Sequence, residues 1–440
     1  MQERVRQYRR SRYLWRLRRR RRRVRLKNPR LLLVSQPDSY RLAPYLAAAG
    51  RLGLEVLVAS RGAHSLVSEV HAGLHVDLDD PGAALEHILD AARQRPFAGV
   101  LGCDDSTVEL AAHAAQQLDL PHNPPRAARE SRRKDLARAR LARAGCAVPA
   151  HRLIDLERPV LPQIEGLRWP CVLKPIHLSA SRGVIRADDE AGFVAACERI
   201  RGIIAGSGED FETRHLLVED YIDGVEVAWE GYLRRGKLHT LALFDKPDPL
   251  QGPFFEETIY VTPSLLAPET QQKIRQRVAQ ACRALGLDTG PVHAELRIDG
   301  HDAWILEVAT RTIGGDCARV LDDAGFNLEE LAISLAIDTP HRASPPQGAR
   351  GVMMIPVRRG GILRRVEGIL AARRVPLVER VDILVREGQE LVPLPEGNRY
   401  PGYIFARGES PQEVTRALRT ACARLDFVVA PLLRMEKIGH

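Results

Sequence analysis

Blocks of hydrophobic residues alternate with polar stretches along this chain and predict strands and helices in turn. A short continuous apolar block is typical of a buried strand, and apolar residues spaced three or four apart are typical of a helix. Before residue 120 the blocks predict strand, helix, strand, helix, strand and helix at 31–35, 40–52, 54–60, 82–94, 97–103 and 106–118. This alternation predicts a parallel, doubly wound sheet.

The rest of the pattern mixes helices with β-hairpins and is broken at two proline-containing stretches, 122–131 and 344–351. Strands are predicted at 169–175 and 215–222, and long helices at 268–285 and 410–424. A chain of 440 residues is too long for one hydrophobic core. We predict an α/β and α+β multidomain protein with a basic extension at 1–28, an N-terminal α/β domain at 29–123, a central domain at 124–343 and a C-terminal α+β domain at 344–440.

The positive charge is concentrated at the start of the chain. The whole chain carries +9, while residues 1–30 carry fourteen Arg, one Lys and one Glu, so the remaining 410 residues carry −5. Such a tail could bind nucleic acid or an anionic membrane through residues 1–27. No nucleic-acid module follows it, and we favour a disordered extension.

Cysteine usage and hydropathy predict the compartment. Seven cysteines occur without a CxxC motif or metal-ligand spacing, which favours a reducing cytosol and buried thiols. No signal-peptide apolar run and no stretch of 18 apolar residues is present, so a cytoplasmic protein is expected. SQPDS instead of GxGxxG follows the first strand, which argues against a dinucleotide site of that kind.

Two glutamates, Glu295 and Glu307, lie in a segment that predicts one β-hairpin, VHAELRI and AWILEVA around the turn DGHD. If they face each other about 4 Å apart, they repel by roughly 4 kcal/mol at an effective dielectric near 20. A hard cation such as Mg²⁺ would convert this repulsion into binding. Because strand side chains alternate, both acids share a face only if the loop has three or five residues. The alternative is two solvated acids on an exposed face.

Other candidates are weaker when taken singly. Lys174 ends a strand and is followed by the small-residue loop SASRG, where free N–H groups could approach phosphate. Lys134 lies in a run of basic residues that could equally be a solvated surface. Glu219 and Glu226 flank a predicted Asp-Gly turn and could be either exposed acids or hydrogen-bond acceptors for a ligand.

The order of these features resembles the ATP-grasp superfamily. Lys134 comes first, then Lys174 with its loop, then VEDYIDGVE, HAELRI and LEVATRTIGG. FDKPDPLQGPFFEETIYVTP and YPGYIFARGES are similar to the branch of carboxylate–amine ligases related to L-amino acid ligases. The resemblance covers about residues 30–440 and implies an ATP-grasp fold between the N-terminal sheet and the C-terminal α+β domain.

The resemblance implies ATP and Mg²⁺ as cofactors. The two lysines would hold ATP phosphates beneath the small-residue loop, and backbone groups at 219–222 would bind adenine, with Glu226 on the ribose. The nucleotide-binding residues would be Lys134, Lys174, Ser179, Ser181, Gly183, Glu219, Asp220, Tyr221, Ile222 and Glu226.

The same resemblance assigns the metal and substrate side. Glu295 and Glu307 would bind Mg²⁺, and Arg311 would neutralise the substrate carboxylate and the acyl phosphate made from it. Contacts to phosphate or the amino substrate could come from Lys246, Glu256, Glu257, His293, Gly314 and Gly315, although structural ion pairs would also explain the charged members of this set.

One residue departs from the family pattern. The family usually has Asn two positions after the second metal glutamate, and this chain has Ala309. The site would then rest on two carboxylates, with help from Thr310, which leaves open whether one or two ions bind.

The expected activity is ATP-dependent joining of a carboxylate to an amine through an acyl phosphate. Alternatives are another acceptor, as in carboxylases or purine-pathway synthetases, or a nucleotide-binding protein recruited by its basic tail. The sequence does not identify the acid or the amine, and a homodimer is compatible with the fold.

Overall fold

The computed structural model describes residues 29–62, 72–208, 210–323, 325–341 and 347–432, so the predicted basic extension lies outside the described residues. The N-terminal part is an alternation of strands and helices. Its elements are β1 (Arg30–Val34), α1 (Leu42–Arg51), β2 (Glu55–Ser60), β3 (Gly73–His75), α2 (Pro81–Gln94), β4 (Gly99–Gly102) and α3 (Val108–Gln117).

These four strands form one parallel sheet in the order β3-β2-β1-β4. Strand β1 has four of its five residues fully buried, as expected for a central strand covered on both faces. The predicted parallel N-terminal sheet is therefore confirmed. The strand order reverses beside β1, so the loops that follow β1 and β4 diverge and leave a crevice at the carboxyl edge of the sheet.

The central part begins with two helices and a small antiparallel sheet. Its first elements are α4 (Pro125–Arg132), α5 (Lys134–Arg143), β5 (His151–Asp155), β6 (Cys171–Pro175), β7 (Ile185–Ala187), α6 (Glu190–Ile204), α7 (Asp210–Arg214) and β8 (His215–Asp220). The strands pair in the order β5-β8-β6-β7. Helix α6 begins at the Asp189 N-cap and packs Phe193 and Ile200 onto this sheet, which gives the unit its own core.

A larger, eight-stranded sheet follows, while three strands near the end of the chain form a separate small sheet. Its elements in chain order are β9 (Val225–Arg234), β10 (Lys237–Asp245), β11 (Ile259–Thr262), α8 (Pro268–Leu285), β12 (Gly290–Ile298), β13 (Ala303–Ala309), α9 (Leu328–Ala336) and β14 (Ala349–Met354). Helix α8 starts with Pro268 in its first turn and ends at Gly286 in the left-handed region, φ +79°. It covers one face of the sheet through Ile274 and Val278.

The last elements are β15 (Gly361–Glu367), α10 (Ile369–Arg373), β16 (Val378–Ile383), β17 (Glu390–Leu391), β18 (Gly402–Gly408), α11 (Pro411–Cys422) and β19 (Asp426–Ala430). The large sheet has the order β13-β12-β9-β10-β11-β14-β18-β16. It therefore runs across the predicted boundary at 343/344, because β11 pairs with β14. The domain limits stay predictions.

Among the helices of the described residues, none combines the length and the hydropathy that a membrane span requires.

Candidate active site

A cavity of about 950 Å³ opens where the N-terminal sheet, the small antiparallel sheet and the large sheet meet. Residues from all three parts line it. Among the described candidates, Gly183, Lys246, Glu256 and Thr310 do not line the cavity. The candidates that do are Lys134, Lys174, Ser179, Ser181, Glu219, Asp220, Tyr221, Ile222, Glu226, Glu257, His293, Glu295, Glu307, Arg311, Gly314 and Gly315.

The two hairpin glutamates are directly opposite each other on β12 and β13. The loop between the strands has four residues, 299–302, so the prediction of a three- or five-residue loop is wrong. A β-bulge corrects the register, because the pairing passes from Glu295–Glu307 to Leu296–Ile305 and leaves Leu306 as the extra residue. Ile305 consequently packs in the core instead of sharing the face of Glu307, and both acids line the cavity.

The Glu295 carboxylate has cationic and hydrogen-bonding neighbours. His293 Nε2 lies 3.4 Å and Lys246 Nζ 3.7 Å from its Oε1. Burial alone would raise the pKa of Glu295, but Lys246 and His293 outweigh burial and hold it well below its usual range. Glu307 has a longer contact, 3.9 Å from its Oε2 to Lys134 Nζ. The Glu295 carboxylate is therefore held as an anion at neutral pH.

Lys246 is buried among three acids instead of facing the cavity. Its Nζ lies 2.7 Å from Glu226 and also contacts Glu257. Burial would lower the pKa of Lys246, but the surrounding carboxylates raise it well above its usual value. Glu256 points away, since its carboxylate accepts a hydrogen bond of 3.1 Å from the Val357 N–H. Successive side chains of an extended chain point in opposite directions, so Glu257 faces the site and the prediction for Glu256 is not supported by its position.

The start of α5 and the loop after β6, which are predicted to hold phosphate, form one side of the cavity. Lys134 Nζ donates to the Leu178 carbonyl, which ties the helix to this loop. Ser179 and Ser181 line the cavity. Gly183 is turned away, and its N–H donates to the Pro395 carbonyl at 2.9 Å. That N–H is therefore already bonded, and the role of Gly183 is to let the loop turn, with φ +71°.

A buried acid, Glu219, contacts Lys174 at the start of the segment predicted to bind adenine. The Glu219 carboxylate lies 2.7 Å from Lys174 Nζ and also accepts from Arg138. Burial would raise the pKa of Glu219, but these two cations lower it to about 2. The Glu219 backbone lies inside β8, paired with β5 and β6. Adenine recognition by the Glu219 backbone is thus not supported, because the residue instead orients Lys174.

The hinge after β8 is partly bonded within the protein. Tyr221 N–H donates to the Pro170 carbonyl at 3.2 Å, and the Ile222 carbonyl accepts from Arg297 at 2.9 Å. Arg297 also donates to Glu226 at 2.9 Å, which places that acid between Arg297 and Lys246. The same edge of the cavity is lined by Val172, Leu250 and Phe255, which pack together as one apolar cluster.

Arg311 lies on the loop after β13 and is buried at 9% exposure. Its Nε–H donates to Asp105 at 2.7 Å, and its Nη1 donates to the Thr312 carbonyl at 3.0 Å. Burial would lower the pKa of Arg311, but Asp105 and Glu307 raise it further above its usual value. A guanidinium has five N–H donors, so donors remain for a ligand anion in the cavity.

Sequence reasoning missed the residues of the N-terminal sheet that hold this loop. Tyr40 Oη accepts from the Gly315 N–H at 2.9 Å, and Arg41 donates to Thr312 Oγ1 at 3.0 Å and to its carbonyl at 3.2 Å. Asp105 holds Arg311. The signal was present: SQPDSYR follows β1 and CDDS follows β4, the two strands on either side of the order reversal.

Comparison with known families decides where the chain belongs. The ATP-grasp domain family matches residues 167–320, the ATP-grasp N-terminal domain matches 46–122, and the L-amino acid ligase C-terminal domain 2 matches 353–430. The chain belongs to the ATP-grasp superfamily. Its match to the L-amino acid ligase C-terminal domain places it with the ATP-grasp proteins related to L-amino acid ligases, as the order of its motifs predicted.

Individual ATP-grasp relatives support this placement. An uncharacterised protein of Sinorhizobium fredii is 24% identical over 396 residues, which covers 88% of this chain and 80% of that protein. Alanine–anticapsin ligase of Bacillus subtilis is 26% identical over 258 residues, or 54% of each chain. The chain thus spans about half the length of that ligase. The crystal structure of an L-amino acid ligase from Bacillus licheniformis has a TM-score of 0.77 at 27% identity and covers 92% of this chain and 99% of that one.

The cofactors of the superfamily can be tested against the residues present. ATP is used by ATP-grasp enzymes, and the cavity has lysines on one side and an apolar cluster on the other, which fits a triphosphate joined to a base. Carboxylate oxygens of Glu226, Glu257 and Glu295 lie within 4.8 Å of one another, but these three acids surround the Lys246 ammonium. The facing pair Glu295 and Glu307 offers carboxylate oxygens to the cavity, and one or two carboxylates are what Mg²⁺ typically takes from a protein.

The expected helper Thr310 is placed elsewhere. Its hydroxyl lies 3.4 Å from Ser131 Oγ, and it lines a separate cavity of about 70 Å³. The Ala309 side chain has no atom that could bind a metal. A cation at the hairpin would therefore be held by the carboxylates of Glu295 and Glu307.

Proposed function

We propose that this protein uses ATP to join the carboxylate of an amino acid to the amine of a second small molecule. One observation carries the proposal: the facing pair Glu295–Glu307 lines the same cavity as Lys134, Lys174 and Arg311. Cations for a triphosphate, oxygen donors for a metal and a cation for an acyl group are therefore within reach of one substrate. Its placement among carboxylate–amine ligases supports the same reaction.

The reaction balances without a protein nucleophile. A substrate carboxylate oxygen attacks the γ-phosphorus of ATP, and the bond to the bridging oxygen breaks to give an acyl phosphate and ADP. The amine then attacks the acyl carbon, loses a proton and expels inorganic phosphate. Each step moves negative charge, so the main requirement is positioned positive charge.

Particular side chains meet this requirement. Lys174, oriented by Glu219 at 2.7 Å, and Lys134 would hold the phosphates. The remaining donors of Arg311 would bind the acyl group while Asp105 holds its Nε–H. Mg²⁺, bound by Glu295 and Glu307, would supply charge neutralisation at the phosphates.

The test is release of ADP by the purified protein over pairs of amino acids and small carboxylates, with mass spectrometry of the product. Glu307→Gln should lose at least 100-fold in substrate-dependent ADP release. Glu367→Gln is the matched control, because Glu367 is an exposed acid paired with Arg365 on β15, outside the cavity. Equal rates for wild type and Glu307→Gln would contradict the metal role, and ADP release without a condensed product would contradict ligation.

Further partners and the compartment remain proposals. All seven cysteines are free and buried, which suits a reducing cytosol. Residues 1–27 could contact nucleic acid or an anionic membrane, and binding of DNA and of anionic vesicles by the full chain and by residues 29–440 tests this. Unchanged binding after the truncation would show that the basic extension is not responsible for it. Sedimentation of both proteins tests assembly as a homodimer.

A further inference from the structure

Glu230 is an acid with 0% exposure in the middle of β9, and the proposed reaction does not use it. Its strand neighbour Trp229 is equally buried. Burying an ionised carboxylate costs several kcal/mol unless partners compensate it, and an apolar side chain of similar volume often serves stability as well or better. The position therefore calls for a reason other than packing.

The two oxygens of Glu230 have different partners. Oε2 lies 3.1 Å from Nδ1 of His293 on the neighbouring strand β12. Oε1 accepts a hydrogen bond of 3.1 Å from the backbone N–H of Ile313. Ile313 lies in the loop after β13, two residues after Arg311 and directly before Gly314.

His293 continues the connection to the metal side. Its other ring nitrogen, Nε2, lies 3.4 Å from Glu295 Oε1. Its side chain is buried, at 3% exposure, so the ring is held between the two carboxylates. One acid thus connects the strand that carries Glu295 with the loop that carries Arg311.

We propose that Glu230 and His293 form a positioning unit that fixes the Glu295 carboxylate and the Arg311 loop relative to each other. The proposal rests on the proposed function, in which Glu295 holds Mg²⁺ and Arg311 binds the acyl group. Outer partners that orient metal ligands typically change metal affinity or activity by 10- to 100-fold when they are removed. Glu230 differs from such a partner in that it also fixes the loop on the substrate side.

The alternative is a purely structural role, in which the polar pair only satisfies the core. The two roles differ in their signature. A structural role predicts that activity falls together with thermal stability. A positioning role predicts loss of kcat well below the melting temperature of each variant, beyond any destabilisation that follows from breaking a buried pair. It also predicts coupling between the two residues, because either substitution breaks the same connection.

The experiment uses Glu230→Gln, His293→Gln and the double variant in the full chain. Asp245→Asn is the matched control, since Asp245 on β10 is a partly buried acid that accepts bonds from Ser264 and the Leu265 N–H outside the cavity. Each single variant should lower kcat by about 10- to 100-fold. The double variant should be no slower than the slower single variant.

A second measurement does not depend on turnover. Binding of a fluorescent ATP analogue is followed with and without Mg²⁺. Mg²⁺ should increase the affinity of the wild type for the ATP analogue. In Glu230→Gln and in His293→Gln this Mg²⁺-dependent increase in affinity should be at least five times smaller. Asp245→Asn should keep it.

Several results would overturn the positioning role. These are losses that multiply in the double variant, a kcat no lower than that of Asp245→Asn, or an unchanged gain from Mg²⁺ in both single variants. If Glu230→Gln fails to fold, His293→Gln carries the same test. If the wild type forms no product with any substrate pair, the proposed ligation fails, while the Mg²⁺-dependent binding still decides the effect on Glu295.

Discussion

The ion triad of Arg138, Lys174 and Glu219 makes a sharp prediction for stability and nucleotide binding. Glu219→Gln keeps the shape of the side chain and removes its charge. Arg138 and Glu219 have side-chain exposures of 4% and 2%, so solvent screens their interaction little. Removing one member of a buried pair typically costs about 3–5 kcal/mol, because the partner cation is left uncompensated.

The pKa gives a second magnitude for the same site. A decrease from the usual 4.5 to about 2 corresponds to about 3 kcal/mol of stability at neutral pH, since one pKa unit is worth about 1.4 kcal/mol. The folded-state pKa is lowered, so this stability is fully present above pH 4.5 and is lost as pH falls towards 2. The two magnitudes agree.

Urea denaturation of wild type and Glu219→Gln between pH 7 and pH 2.5 measures the effect. The free energy of unfolding should differ by about 3 kcal/mol at pH 7, and the difference should shrink steadily below pH 4.5. Glu198→Gln is the control, because Glu198 forms an i,i+3 pair with Arg201 at 65% exposure and should change stability by less than about 0.5 kcal/mol.

The variant should also bind ATP more weakly, because Lys174 loses the carboxylate that orients it and Arg138 loses a support for its bonds to the Ile305 and Leu306 carbonyls at the bulge. The reasoning would be refuted if Glu219→Gln lowered the free energy of unfolding at pH 7 by less than about 1 kcal/mol. It would also be refuted if the difference in unfolding free energy between wild type and variant grew as pH falls.

Three further predictions rest on other contacts of the described residues. Asp105→Asn should lower kcat at least tenfold with little change in KM for ATP, because Asp105 fixes the Arg311 guanidinium at 2.7 Å; steady-state ADP release measures this, and an unchanged kcat would speak against it. Gly183→Ala should lower the melting temperature and raise KM for ATP more than Gly206→Ala does. Both glycines have φ +71°, but only at Gly183 would an added Cβ lie 2.7 Å from Pro175; equal effects of the two substitutions would contradict this. Lys246→Met should destabilise the protein by about 3–5 kcal/mol without Mg²⁺ and less with it, because three acids lose their buried cation; melting curves with and without Mg²⁺ test this, and a loss independent of Mg²⁺ would oppose it.

The sheet class could be predicted because it depends on local periodicity. The apolar blocks of β1 and β2 and the amphipathic α8 carry their structure in their own spacing. The order of motifs was similarly sufficient to indicate the family, since order along the chain needs no knowledge of contacts. Both expectations were confirmed.

The hairpin shows where periodicity stops being sufficient. Strict alternation required an odd loop for Glu295 and Glu307 to share a face, and the structure instead has four loop residues and an extra residue at Leu306. A bulge depends on neighbouring structure: Arg138, 168 residues away along the chain, donates to the Leu306 carbonyl. Alternation alone cannot show such a partner.

The amino-acid sequence by itself determined the elements, the parallel N-terminal sheet and which acids and cations were available for chemistry. The tertiary structure decided which of them act together. Glu256 and Glu257 are adjacent and chemically identical, yet only Glu257 contacts Lys246, and Glu230 acquires a proposed role because β9, β12 and the Ile313 loop meet around it. The physical reason is that ionic contacts and buried hydrogen bonds act over a few ångströms between residues far apart in sequence, whereas propensity and periodicity describe only near neighbours.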